Sequence, residues 1–163
     1  MNNLILIGMP GSGKSTLGVV LAKTMGKMFM DTDLLIQDRA NGKLQHIIDT
    51  EGIEAFLKLE EEVLESVEAN NTVIATGGSA IYSDSAMQHL RSIGKVVYLK
   101  LSCEEIENRL NNIKTRGIAM KPGETIKDLY DYRVPMYEKY ADIVLETEGL
   151  AIEESIEKLI NML

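Results

Sequence analysis

The sequence predicts an α/β fold built on a parallel β-sheet. Five short apolar runs, at residues 4–7, 28–31, 73–76, 96–99 and 143–145, have the length and bounds of strands. Helical patterns separate them, at 15–25, 33–42, 44–51, 53–68, 83–93, 104–112, 125–140 and 152–163. Such alternation argues for βαβ units, whose crossovers make neighbouring strands parallel. The third observation is Gly8-Met9-Pro10-Gly11-Ser12-Gly13-Lys14-Ser15, which joins the first run to the first helix and satisfies GxxxxGK[ST] at every fixed position.

The residues of this loop have a physical reading. Glycines let the backbone curl and aim its N–H groups inward, and the following helix points its positive end at the same spot. Gly11, Ser12, Gly13, Lys14, Ser15 and Thr16 are therefore the candidate nucleotide-binding residues. Lys14 would reach the β- and γ-phosphates, and the Ser15 hydroxyl would ligate Mg²⁺. Thr16, Leu17, Val20, Leu21 and Met25 recur at helical spacing behind it.

With 163 residues, the chain is expected to form one domain spanning 1–163. Its net charge of −8 argues against a nucleic-acid or anionic-membrane partner, since both favour a basic face. The single cysteine, Cys103, excludes an internal disulfide and suits a reducing, cytoplasmic setting; with no base in sequence reach, its expected role is packing. No apolar run approaches membrane-spanning length, and no signal peptide is evident.

In chain order, Asp31-Thr32-Asp33 comes next, at a strand end. Residues two apart in extended backbone face the same way, so both carboxylates can point at one place. They can hold Mg²⁺ through water or accept protons from substrate hydroxyls; the structural alternative is Asp33 as a helix N-cap. On the helix at 53–68, Ile53, Phe56, Leu57, Val63, Leu64 and Val67 form an apolar stripe that Glu60 interrupts, whereas Glu61, Glu62 and Glu65 read as a solvated face. A carboxylate on the core side needs a partner or a cavity. Gly77-Gly78-Ser79 then ends an apolar strand, where paired glycines let backbone approach a ligand; an ordinary turn, with Ser79 or Ser83 capping a helix, is the alternative.

Cations cluster at Arg109, Lys114, Arg116 and Lys121 around a polar, Gly-containing loop. In so acidic a chain this fits a lid that closes over phosphates and supplies charge in the transition state. Arg133 and Tyr137 lie four apart on one helical face, as expected for an aromatic-supported guanidinium fork that grips a carboxylate; a surface pair with Asp131 is the alternative. Pro135 is expected to kink or restart this helix. His46 and His89 carry no ligand pattern. The last helix should dock on the sheet through Ile152, Ile156, Leu159, Ile160 and Leu163.

Together, residues 8–16, Asp31-Thr32-Asp33, Phe56 with Glu60, Gly77-Gly78, the basic segment, and Arg-x-x-x-Tyr-x-x-x-Ala from Arg133 to Ala141 resemble the shikimate kinase family over nearly the whole chain. The resemblance implies a three-layer αβα, nucleoside-monophosphate-kinase-like fold with a five-stranded parallel sheet, a mobile lid at about 111–123 and an acceptor-binding helical region at about 32–62. It implies transfer of the ATP γ-phosphate to shikimate, giving shikimate 3-phosphate, with Mg²⁺, in aromatic amino-acid biosynthesis, by a cytoplasmic monomer. By position, Lys14 and Arg116 stabilise the transferring phosphoryl group, Arg109 lies near the adenine, Ser15 and Asp31 hold the metal, and Asp33 meets the acceptor hydroxyl as candidate base. Leu57, Glu60, Gly77, Gly78, Ser79 and Arg133 form the acceptor-binding set.

The family pattern is broken at three places. Leu57 stands where a second carboxylate-binding arginine is usual, Ser79 replaces the third of three glycines, and Gly117-Ile118 replaces Pro-Leu, a looser hinge. A charge-assisted hydrogen bond is worth about 1.5–3 kcal/mol, so Leu57 weakens the expected carboxylate clamp. Alternatives are a family kinase for another hydroxy acid, such as homoserine, or a catalytically dead nucleotide-binding relative. A nucleoside kinase would want base-stacking aromatics, for which Phe56 is the only candidate.

Overall fold

The computed structural model describes residues 2–111 and 117–163. Its five strands are β1 (Asn3–Ile7), β2 (Met28–Asp31), β3 (Thr72–Ala75), β4 (Gly94–Lys100) and β5 (Ile143–Glu146). They form one parallel sheet in the order β2-β3-β1-β4-β5. The helices are α1 (Lys14–Met25), α2 (Thr32–Ala40), α3 (Leu44–Glu51), α4 (Ile53–Glu65), α5 (Asp84–Ile93), α6 (Cys103–Asn111), α7 (Ile126–Tyr140) and α8 (Ile152–Met162), with a 3₁₀ turn at Ala80–Tyr82.

The period-2 alternation of strand side chains divides the core between two faces. Ile5 and Ile7 of β1, Ile74 of β3 and Tyr98 of β4 pack against α4, α5 and α7. Leu4, Leu6, Val73 and Val97 point the other way, onto Leu17 and Leu21 of α1 and Ile156 and Leu159 of α8. A three-layer αβα architecture follows. A third apolar cluster, with Ile36, Leu44, Ile47, Phe56 and Val63, knits α2, α3 and α4 together beyond the ends of β2 and β3.

Asn3 ties the opposite end of the sheet. Its side-chain amide donates to the carbonyls of Ala69 (2.7 Å) and Ile93 (2.9 Å), and its oxygen accepts from the Thr72 N–H. The starts of β3 and β4 are thus fixed on either side of β1.

Three expectations are corrected. α7 does not restart at Pro135 but continues through it as one helix, anchored by buried Leu129, Arg133, Tyr137 and Tyr140 and opened by a Thr125–Asp128 capping box. α4 stops at Glu65, because Ser66 turns its hydroxyl back onto the Val63 carbonyl (2.7 Å). α8 docks through a narrower seam: Ser155, Ile156 and Leu159 are buried, but Ile152, Ile160 and Leu163 are exposed, since it covers an edge strand. Among the described residues no helix is long and apolar enough to cross a membrane.

Candidate active site

In an open parallel sheet the loops at the carboxyl ends of the strands converge where strand order reverses. Here the phosphate loop leaves β1, Asp31 ends β2, and Gly77-Gly78 follow β3. These segments surround a cavity of about 300 Å³, into which Lys14, Asp33, Glu60 and Arg133 also converge.

The phosphate loop takes the backbone form its glycines allow. Gly11 and Gly13 have φ of 78° and 91°, values that L side chains rarely adopt. The buried Lys14 ammonium donates to the carbonyls of Gly8 and Met9, each at 2.9 Å, which holds it over the loop at the start of α1. Arg109 of α6 flanks the same loop: its Nη1 donates to the Gly11 carbonyl (3.4 Å) while its Nε pairs with Glu105 (2.9 Å).

Ser15 Oγ donates to Asp31 Oδ2 at 3.0 Å. Asp31 Oδ1 accepts from the Asp33 N–H at 2.9 Å, so Asp31, not Asp33, caps α2. Asp33 is thereby left in the first helical turn with its carboxylate on the cavity. The two carboxylates meet at the site across a strand–helix junction rather than along one extended strand. Ser15 and Asp31 make an all-oxygen pair at the loop, which fits a hard cation that takes one or two protein oxygens and its remaining ligands from phosphate and water. No group of three or more His, Cys, Asp or Glu placed to hold a metal ion occurs among the described residues.

Beside Asp33 and Glu60, glycine at Gly77 is a spatial requirement. A Cβ there would stand 2.7 Å from Asp33 Oδ1 and 2.9 Å from Glu60 Oε2. At Gly78 it would meet Pro10 Cδ at 2.8 Å and Arg133 Nη1 at 2.9 Å. Arg133 is 1% exposed. Its Nε donates to the Tyr82 hydroxyl (2.9 Å) and its Nη2 to the Ala119 carbonyl (3.2 Å), while Tyr137 donates to the Gly78 carbonyl (2.6 Å). The surface pair with Asp131 does not form; Asp131 pairs with Lys127 at 2.6 Å. Glu60 is 2% exposed and accepts from Ser79 Oγ at 2.6 Å. Burial is the chief cause that pushes its carboxyl up to about 7; the Asp33 charge adds to the rise, and Ser79, Arg133 and Lys14 oppose it.

Leu57 sits elsewhere. It is half-buried and outside the main cavity wall, lining a neighbouring cavity of about 170 Å³ that shares Glu60 and Ser79 with the first. Glu61 is not purely solvated, since it is half-buried and accepts from Ser83, the N-cap of α5. Gly117 packs closely: a Cβ would lie 2.5 Å from Leu44 Cβ on α3. Gly117, Ile118 and Ala119 therefore bring the returning limb of the expected lid onto the cavity. Arg116 and Lys114 lie outside the described residues, and Lys121 is exposed.

Two cavity features escape a reading of the sequence. Tyr82 orients Arg133 from 51 positions away, with no local signal. Lys43, N-cap of α3, adds an exposed cation to the rim; a lysine before a helical pattern could have flagged it. His89 bonds the Val67 carbonyl (2.7 Å) and His46 is exposed, as expected of packing and surface histidines. Cys103 is half-buried beside Glu107, and burial first, then Glu107, raises its thiol above the ordinary range.

The family model described as shikimate kinase matches residues 10–163. The chain belongs to the shikimate kinase family. The shikimate kinase of Pseudomonas paraeruginosa is 40% identical over 166 residues, covering 98% of this chain and 96% of its own. That of Histophilus somni is 35% identical over 165 residues, covering 99% and 94%. Among solved structures, shikimate kinase from Acinetobacter baumannii in complex with shikimate superposes with a TM-score of 0.89 at 30% identity, covering 99% of this chain and 92% of its own. A deoxyadenosine kinase from M. mycoides, at TM-score 0.59 and 14% identity over 98% of this chain and 97% of its own, shares the fold alone. As a shikimate kinase family member, the protein is a kinase that phosphorylates a hydroxyl group.

Proposed function

We propose that the protein transfers the γ-phosphate of ATP to the 3-hydroxyl of shikimate, with Mg²⁺, and that residues 1–163 act as one catalytic unit. The observation that carries this is the convergence of Asp33, Glu60 and Arg133 around Gly77-Gly78, in one cavity with Lys14. A carboxylate to receive a hydroxyl and a guanidinium to receive an acid are what a hydroxylated carboxylic acid requires.

In-line phosphoryl transfer asks the protein mainly for position and charge. The loop amides and Lys14 bind the phosphates, and Arg109 borders the nucleotide side. Ser15 and Asp31 would hold Mg²⁺, which would supply positive charge against the phosphates. Asp33 orients the acceptor hydroxyl and takes its proton as the new P–O bond forms. Arg133, its plane fixed by Tyr82 and the Ala119 carbonyl, receives the acceptor carboxylate. Leu57 leaves that clamp single. Arg116 is assigned the lid arginine, and the protein is expected to work as a cytoplasmic monomer.

Steady-state assays of ADP formation with shikimate and with homoserine test the reading. Shikimate is expected to turn over at a KM between micromolar and low millimolar, and Lys14→Ala to abolish activity in a folded protein. Turnover of homoserine alone, or of neither, would sink it.

A further inference from the structure

Glu60 has a role in the cavity that phosphoryl transfer leaves open. Oε1 accepts the Ser79 hydroxyl, but Oε2, buried, has no hydrogen-bond partner among the described residues. Oε2 lies on the acceptor side, because a Cβ on Gly77 would stand 2.9 Å from it and 2.7 Å from Asp33 Oδ1. An unpartnered carboxylate oxygen thus lies buried at the cavity wall beside Gly77, next to a second carboxylate.

Among the described residues, the charges around it do not neutralise it. From α2, Asp33 opposes ionisation. From α1 and α7, Lys14 and Arg133 favour it, but both donate elsewhere: Lys14 to the Gly8 and Met9 carbonyls, Arg133 to Tyr82 and Ala119. Tyr137 keeps its proton and donates it to the Gly78 carbonyl. On α4 itself, Leu57 brings no charge, Lys58 is exposed and Glu61 takes the Ser83 hydroxyl. Lys43 stands exposed at the rim. Desolvation therefore dominates, and the carboxyl titrates near neutrality, at about 7. An anionic acceptor would oppose its ionisation further.

We propose that Glu60 is an acceptor-positioning group that loads a proton: as an anionic hydroxy acid enters, the Glu60 carboxyl takes a proton from solvent, and the resulting Oε2–H donates to an acceptor oxygen while Ser79 holds Oε1. The proton returns to solvent when the product leaves. The proposal rests on reading this cavity as the acceptor site. It makes acceptor affinity fall with alkaline pH, by about twentyfold between pH 6.5 and 8.5 for one required proton. Because the Ser79 hydroxyl favours the ionised carboxyl, Ser79→Ala moves that fall to higher pH.

The test is calorimetric titration of the nucleotide-free protein with shikimate, at pH 7.5, in two buffers of different ionisation enthalpy. The expected result is uptake of more than about half a proton per acceptor bound. Glu60→Gln, whose amide donates without titrating, should bind with no proton uptake and a pH-independent Kd. Binding without proton uptake in the unaltered protein, or an alkaline fall that persists in Glu60→Gln, overturns the proposal. If shikimate neither binds nor turns over, the acceptor reading fails separately. The Glu60 carboxyl, followed by ¹³C NMR in the free protein, then decides: an inflection near pH 7 supports proton loading, and one below pH 5 overturns it.

Discussion

Replacing Glu60 with glutamine should make the protein more resistant to alkaline destabilisation, although it removes a charged residue from the site. Glu60 titrates at about 7 in the fold, against 4.5 for an ordinary solvated glutamate such as the unfolded chain presents. The folded state therefore holds this proton more tightly. The stability it contributes is full below pH 4.5 and is lost as pH rises to 7. The interval of 2.5 pH units corresponds to about 3 kcal/mol at 1.36 kcal/mol per unit, of which about 2–3 kcal/mol falls between pH 5 and pH 8. That is a large share of the 5–15 kcal/mol typical of a domain. Glutamine keeps the size of the side chain and an oxygen for the Ser79 hydroxyl but cannot ionise. Urea denaturation of both proteins at pH 5, 6, 7 and 8 gives the assay, and the difference between the two curves cancels every other titrating group. The gap should open in favour of Glu60→Gln by about 2–3 kcal/mol across this range. Parallel curves would refute the reasoning, because Glu60 would then be ionised in the fold at little cost.

Further predictions concern the acceptor. Asp33→Asn should lower kcat by about two or more orders of magnitude with ATP affinity unchanged, measured by initial rates and nucleotide titration; near-full activity would make Asp33 structural. Gly77→Ala places a methyl 2.7 Å from Asp33 Oδ1 and 2.9 Å from Glu60 Oε2, so shikimate kcat/KM should fall at least about tenfold while nucleotide Kd holds. Arg133→Lys cannot reproduce the fork held by Tyr82 and Ala119, and acceptor KM should rise by about tenfold or more; an unchanged KM would remove Arg133 from the carboxylate clamp.

Much of the fold is legible along the chain, because strand runs and helix stripes are local patterns. The phosphate loop, the ends of β2 and β3, and the spacing of Arg133 and Tyr137 each lie within a few residues. What holds Arg133 in place is different in kind. Tyr82 and the Ala119 carbonyl reach it from other elements, and no periodicity encodes such contacts. Pro135 misleads for a related reason: tertiary anchoring at Arg133 and Tyr137 carries α7 through a residue that alone favours a break. That Leu57 lines a second cavity, joined to the first at Glu60 and Ser79, is likewise visible only in three dimensions. Glu60 is expected as a core-side carboxylate, but its unpartnered oxygen and its closeness to Asp33 are three-dimensional facts.

The cavity beside Leu57 bears on selectivity. It meets the main cavity at Glu60 and Ser79, and Leu57, Leu64 and Tyr82 stand among its walls. An inhibitor seated at Arg133, with a short apolar arm passing Ser79 into this space, would exploit room that a longer side chain at position 57 would reduce. Such a compound should lose at least about tenfold in affinity for Leu57→Arg, by direct binding measurement, while shikimate itself binds that variant no more weakly. Equal affinity for both proteins would show that the arm never enters. A side chain that lines this second cavity, Leu57, thus offers a handle for selective inhibition.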